Sequence, residues 1–310
     1  MTSKEPSAAT SDVGLGRARQ TAIFRAGALG RAPSILTDAR TLERRAKKAM
    51  SPRAWAYVAG GAGEGRTMRY NREAFERWRI VPRMLRGVPQ RDLATSVVGT
   101  QLSSPLLLAP IGAASVVAAN SDVIIARGAA AAGTAYIISW QGCNEVEETA
   151  AAMGPWPFWY QLYWSTDEAL VDSMISRAER SGAGALVVTL DTTILGWRPQ
   201  DLNLGSLPFV GGQGLAQYTS DPRFLKIVQD RIASVVVALG QVSALVRRVI
   251  GRPYVYGLAI AGADGVRQVI ENIVAELDLT MGLLGIQTNK DLSRDLLIAN
   301  EDQMGAAAVK

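Results

Sequence analysis

The sequence predicts an α/β fold with a parallel sheet, from three features that begin at Pro105. Four short apolar runs, SPLLLAPIG, TAYIIS, PFWYQLY and GALVVTLDT, are rich in branched and aromatic residues and too short for helices. Helical stretches lie between them: ANSDVIIARGAAAAG, NEVEETAAAMG and STDEALVDSMISRAERSG. The spacing from strand to strand, roughly thirty residues or a little less, is the βαβ rhythm of a doubly wound fold or of a (β/α)8 barrel.

Taken in order, residues 1–36 mix Ser, Ala, Gly and Arg and read as a flexible arm with one short helix around Arg17 to Arg25. Residues 37–104 read as a cap. TLERRAKKAM has amphipathic spacing, and SPRAWAYVAG restarts a helix with Ser51 as N-cap and Pro52 in the first turn, ended by Gly60 and Gly61. Pro82, Pro89 and Gly99 divide the rest of the cap into short strands and turns. Residues 105–310 carry the sheet and its helices. In the clearest helix Ser165 is expected as N-cap, with Glu168 in capping-box position and Gly182 just beyond the end. GWRPQDLNLGSLPFVGGQGLAQYTSDPRF reads as a long polar, glycine-rich loop of the sort that covers a site. Residues 225–250 have room for at most one helix and one strand. In DGVRQVIENIVAELDLTMGLLG, apolar Val266, Val269, Ile270, Ile273, Val274 and Leu277 recur at the spacing of a helix packed on a core.

Composition removes several classes of function. No apolar run reaches the eighteen or so residues of a membrane span, and the polar start MTSKEPSAATSDVG has no secretory apolar region, so a cytoplasmic location is expected. The net charge of +5 is spread along the chain, a solvated surface and not a nucleic-acid stripe. Cys143 is the single cysteine, which excludes an internal disulfide and reads as a small packed residue. There is no histidine in 310 residues. Mechanisms that need an imidazole base, acid or metal ligand are thereby excluded.

One segment points to an anion. In IGRPYVYGLA, Gly251 lets a phosphate approach the backbone and Arg252 offers a fork of donors at a helix start. Asp191, at a strand end, reads equally as a helix cap, a loop anchor or a site residue.

Eight segments together carry a resemblance: WAYVAGGAGE, RWRIVPRMLR, LLLAPIG, FWYQLYW, LVVTLDTTILGWRPQDL, YTSDPRF, GRPYVYGLA and AELDLTMGLLG. In this order they resemble the FMN-dependent 2-hydroxy-acid oxidases and dehydrogenases, most of all the lactate 2-monooxygenase branch, over residues from about 15 to 224 and from 250 to about 297. The resemblance implies a (β/α)8 TIM-type barrel with FMN at the C-terminal ends of the strands. It assigns the backbone wall against the flavin ring to Ala109, Pro110, Ile111 and Gly112. Ser139, Gln161 and Thr189 become polar partners of the ring edge, and Gly251 and Arg252 the phosphate site. Tyr57 and Tyr163 resemble substrate-facing hydroxyls, and Arg198 the guanidinium that pairs with the substrate carboxylate.

The family pattern is also interrupted. Its Ser-Asn-His-Gly-Gly-Arg run with the catalytic histidine, its fifth-strand lysine at the flavin edge and its Asp-x-Gly-x-Arg segment have no counterpart, so no catalytic residue is intact. Residues 225–250 are 26 in number, where three βα units would take on the order of 90. The expected fold is therefore an incomplete (β/α)8 barrel, about five of eight strands, after an N-terminal helical segment. The resemblance implies FMN as cofactor and a small 2-hydroxy acid such as L-lactate as substrate, with activity impaired or absent in this chain alone. The alternative is a non-catalytic interaction subunit, pairing with itself or with an intact paralogue through the open edges.

Overall fold

The protein's structure, a computed structural model, describes residues 14–88, 91–190, 195–230 and 249–299. Four helices come first: α1 (Leu15–Ala28), α2 (Ala39–Ala49), α3 (Pro52–Ala59) and α4 (Arg66–Glu73). Ser51 caps α3 by accepting from Ala54 N with Pro52 in the first turn, as the sequence predicts, and Asp38, which sequence reasoning did not single out, caps α2 by accepting from Thr41 N. Three short strands follow, β1 (Trp78–Ile80), β2 (Thr95–Val97) and β3 (Thr100–Leu102). The alternating part is β4 (Leu107–Leu108), α5 (Ser121–Ala131), β5 (Ala135–Ile138), α6 (Val146–Met153), β6 (Phe158–Tyr163), α7 (Glu168–Arg180) and β7 (Leu186–Thr189). Short helices α8 (Pro199–Asn203), α9 (Ala216–Thr219) and α10 (Pro222–Asp230) lead on to β8 (Val249–Ile250), the long α11 (Arg252–Leu284) and β9 (Leu297–Ala299).

Five strands form one sheet in the order β7-β6-β5-β4-β8, every pairing parallel. The position of β8 is the informative one. Last of the five in the chain, it pairs with the first, Leu107 opposite Val249 and Leu108 opposite Ile250, and not with β7. A barrel closes by joining its last strand to its first, so the sheet is a barrel wall interrupted between β7 and β8. β5 and β6 are buried along their whole length, as in a sheet covered on both faces. On β7, by contrast, Leu186 and Val188 remain 42% and 39% exposed. Leu102, Leu107, Ala135, Ile137 and Trp159 form one core cluster against the sheet.

The chain divides into two compact units. The larger comprises Ser34–Met68 and Ser96–Ile270 and holds the parallel sheet. Its helices are tied by buried Arg177, which pairs with Glu147 and donates to the Gln217 carbonyl and the Ser220 hydroxyl. The smaller unit comprises residues up to Pro33, Arg69–Thr95 and residues from Glu271 on. There β1 and β9 pair antiparallel, and Arg91 pairs with buried Asp278, which also accepts from Gly16 N at 2.6 Å. Leu93, Met281, Leu284, Ile286 and Leu296 are its core. α11 changes direction at Ala261 and Gly262, where Gly262 takes φ 54°, a value natural to glycine.

One sequence expectation is extended and two are corrected. The helix expected around Arg17 to Arg25 is present as α1, extended to 14 residues, with Gly16 donating to Asp278 and Arg19 to Asn272 on α11. The N-cap of α7 is Asp167, not Ser165: Asp167 accepts from Leu170 N at 2.9 Å, while Ser165 accepts from Asp167 N. The segment from Gly196 to Phe224 is not a plain loop. Its prolines open short helices, and Asp221 caps α10 by accepting from the backbone of Arg223 and Phe224. The start of the arm, Pro89, Asp191 and most of the segment 225–250 lie outside the described residues.

Candidate functional site

The loops at the C-terminal ends of the strands carry most of the residues that the sequence singles out. After β4 the chain runs through Ala109, Pro110, Ile111 and Gly112. The Ala109 carbonyl accepts from the Tyr254 hydroxyl at 2.8 Å, and Ala113 N donates to the Gln141 carbonyl at 2.9 Å. Gly112 has to be glycine: a Cβ there would lie 2.8 Å from Gln141 Cβ. A Cβ on Gly251, just before α11, would meet Ala109 and Ile111 at 3.9 and 4.0 Å, ordinary contact, so the turn into α11 lies beside this wall.

Three strands contribute a polar row. The Ser139 hydroxyl and Trp140 N each donate to Gln161 Oε1 at 3.2 Å, and Gln161 Nε2 donates to the Thr189 hydroxyl at 3.1 Å. Gln161 is buried in an otherwise apolar and aromatic strand, and these bonds satisfy its amide. Tyr163 is buried at the end of the same strand.

Tyr57, Arg198 and Arg252 form a second group. The Tyr57 hydroxyl donates to the Gly112 carbonyl at 3.1 Å, and burial holds its phenol well above the ordinary range, so it remains a donor. Arg198 lies 5.6 Å from the Tyr57 ring centroid and pairs with Asp201. Its Nη2 donates to the Tyr57 carbonyl at 2.6 Å. Beside it a cavity of about 190 Å³ is lined by Leu195, Arg198, Asp201, Leu202, Leu207 and Val210. Arg252 donates to the carbonyls of Val58 at 3.0 Å and Gly60 at 3.4 Å. Sequence reasoning missed Asp201, although its spacing of three from Arg198 on a helix start is a legible pairing signal. It missed Asp122 as well. This fully buried carboxylate accepts from Cys143 N, Asn144 N and the Tyr136 hydroxyl, and so fixes the loop after β5. Burial pushes it up to about 6. Among the described residues no cluster of three or more acidic or cysteine side chains could hold a metal ion.

A polar row across strand ends, a backbone wall and a glycine at a helix start are a chemically suitable set for a planar cofactor that ends in a phosphate. Fold and site together define an α/β-barrel protein of the nucleotide-cofactor type. Comparison with known sequences makes this specific. The profile of the family described as FMN-dependent dehydrogenase matches residues 46–242 and 235–299, so the chain belongs to the FMN-dependent dehydrogenase family, whose cofactor is FMN. The FMN-dependent alpha-hydroxy acid dehydrogenase qulF of Penicillium citrinum is 29% identical over 380 positions, which cover 90% of this chain and 94% of that protein. The L-lactate oxidase of Lysinibacillus sphaericus is 27% identical over 342 positions, covering 80% of this chain and 89% of the relative. The structure of mandelate oxidase with (S)-2-phenylpropionate matches 82% of this chain and 96% of its own with a TM-score of 0.69 at 24% identity, a likeness of fold. Among the described residues no helix is long and apolar enough to cross a membrane.

Proposed function

We propose that this chain is an FMN-binding relative of the 2-hydroxy-acid oxidases that keeps the first half of the barrel site and does not oxidise a 2-hydroxy acid as a single chain. One observation carries the reading: the row Ser139, Gln161 and Thr189 is complete and hydrogen-bonded in a chain without a histidine. When bound, FMN supplies the two-electron acceptor for such an oxidation. Ala109, Pro110, Ile111 and Gly112 stand as the wall for its ring, the polar row meets the ring edge, and Gly251 lets the phosphate approach the backbone. Arg198 is the partner for the carboxylate of a small 2-hydroxy acid such as L-lactate, and Tyr57 and Tyr163 face it with hydroxyls. Tyr57 stays a protonated phenol, a hydrogen-bond donor and not a phenolate base. With no imidazole to accept the substrate's proton, the chain lacks a contribution of roughly 10² to 10⁴ in rate.

An internal deletion of about three βα units is part of this reading. It is supported by the match of the family profile in two pieces and by an alignment of 380 positions to a chain of 310 residues. The test uses the purified chain. It is expected to be yellow, with a flavin spectrum that L-lactate added without oxygen does not bleach. Bleaching overturns the loss of activity, and a protein that stays colourless with added FMN overturns the flavin site.

A second reading, an interaction subunit, is favoured by the exposed Leu186 and Val188 on the terminal strand of the sheet. Here the chain pairs with itself or with an intact paralogue that brings the histidine. Light scattering on the purified chain, alone and mixed with such a paralogue, tests it, and a monomer in both samples removes it.

A further inference from the structure

The two arginines expected to hold anions, Arg198 and Arg252, both serve the end of one helix. A helix leaves its last four carbonyls without intrahelical donors, and α3 has no basic residue in its own last turn. The missing donors come from far along the chain. Arg198 Nη2 donates to the carbonyls of Tyr57 at 2.6 Å and Ala56 at 3.4 Å. Arg252 Nε donates to Val58 at 3.0 Å, and its Nη2 reaches Gly60 at 3.4 Å and Met68 Sδ at 3.7 Å. The backbone bond from Gly60 N to the Ala56 carbonyl, 2.9 Å, lies within the same turn.

We propose that the last turn of α3, residues 56–60, is a latch closed by Arg198 and Arg252 and opened by an anion. Bonds from a guanidinium to a carbonyl and to an anion are both charge-assisted, but a phosphate or carboxylate adds the opposite charge and takes two parallel bonds from the fork. An anion in reach of Arg252, which is held by two carbonyls and the Met68 sulfur, therefore draws that guanidinium away and turns the helix-end carbonyls to water, while at Arg198 the anion competes with the Asp201 carboxylate. Tyr57 lies in this turn with its hydroxyl on the Gly112 carbonyl, so opening the latch also loosens the contact between α3 and the backbone wall. The coupling is reciprocal: a weakened helix end raises the affinity of the arginines for an anion. The inference rests on the flavin reading for the identity of the natural anion, and inorganic phosphate serves as the probe.

Hydrogen exchange of the full chain tests it, read on the segment from Tyr57 to Gly65 with phosphate or with sodium chloride at matched ionic strength. Phosphate is expected to speed exchange there about tenfold, the effect of losing one charged hydrogen bond, while the chloride salt leaves it unchanged. Arg252→Gln is expected to exchange fast without phosphate and to respond little to it. Should that variant not fold, Arg198→Lys gives the same comparison with the charge kept. Slower or unchanged exchange with phosphate, or an equal effect of chloride, overturns the latch. Loss of the phosphate response in a chain that still turns yellow with FMN removes the latch alone. A full response in a chain that never takes up FMN removes the flavin reading alone.

Discussion

Gln161 on β6 donates its amide hydrogen to the Thr189 hydroxyl on β7 at 3.1 Å, and its carbonyl oxygen accepts from both Ser139 and Trp140. Three consecutive strands of the sheet are thus joined by one side chain at their C-terminal ends. Replacing Gln161 by Leu leaves these partners without their bonds in a buried place. The expected cost is about 1–3 kcal/mol of stability, with weakened FMN uptake. Urea unfolding of the variant, followed by a flavin titration, measures both.

Asp122 gives stability a pH dependence. Its carboxyl is pushed up to about 6 in the fold, against 3.8 for an ordinary aspartate, chiefly because burial disfavours the charge. Between these values the folded chain holds a proton that the unfolded chain releases. The Asp122 contribution is therefore fully present below about pH 4, declines as pH rises, and is gone above about pH 6, a change on the order of 3 kcal/mol. Asp122→Asn keeps the shape and does not ionise. The difference between wild type and variant in urea unfolding at pH 4 to 7 should shift by that amount, and a constant difference contradicts the prediction.

Arg177 and Glu147 form one ion pair with unequal partners. The arginine side chain is 6% exposed and the glutamate 46%. Arg177→Met removes a buried cation from Glu147, Gln217 and Ser220 and leaves buried Asp221 without its nearby charge, at an expected cost of about 3–5 kcal/mol. Glu147→Gln, at the wetter end, should cost less than about 1 kcal/mol. Equal effects in calorimetry would show that Arg177 acts only through that pair.

Gly112→Ala drives a methyl to 2.8 Å from Gln141 Cβ. The backbone that accepts from Tyr57 then has to move, with an expected loss of about 1–3 kcal/mol. Thermal unfolding measures the loss, and FMN uptake should fall with it.

Much of the candidate site was legible in the sequence. The residues proposed as wall, row and phosphate turn sit at strand ends marked by short apolar runs, and a strand bounded by Gly or Pro leaves little freedom in placing them. Asp122 was not readable as a partner, because it acts on Tyr136, Cys143 and Asn144, which only folding brings near, whereas the local pair of Asp201 with Arg198 was legible and was missed. The cap of α7 moved from Ser165 to Asp167 for a local reason: two neighbouring side chains compete for the same backbone donors, and Asp167 also pairs with Arg223.

The sequence by itself determined the class of fold, the family resemblance and the absence of an imidazole, since these depend on residue types and their spacing. Only the tertiary structure decided where β8 goes and what Arg198 and Arg252 hold. Strand pairing and the partner of a long side chain are contacts between distant parts of the chain, and neither leaves a period in the sequence. Beside β4, β8 places Gly251 against Ala109 and Ile111, while the carbonyls of α3 take both guanidinium groups.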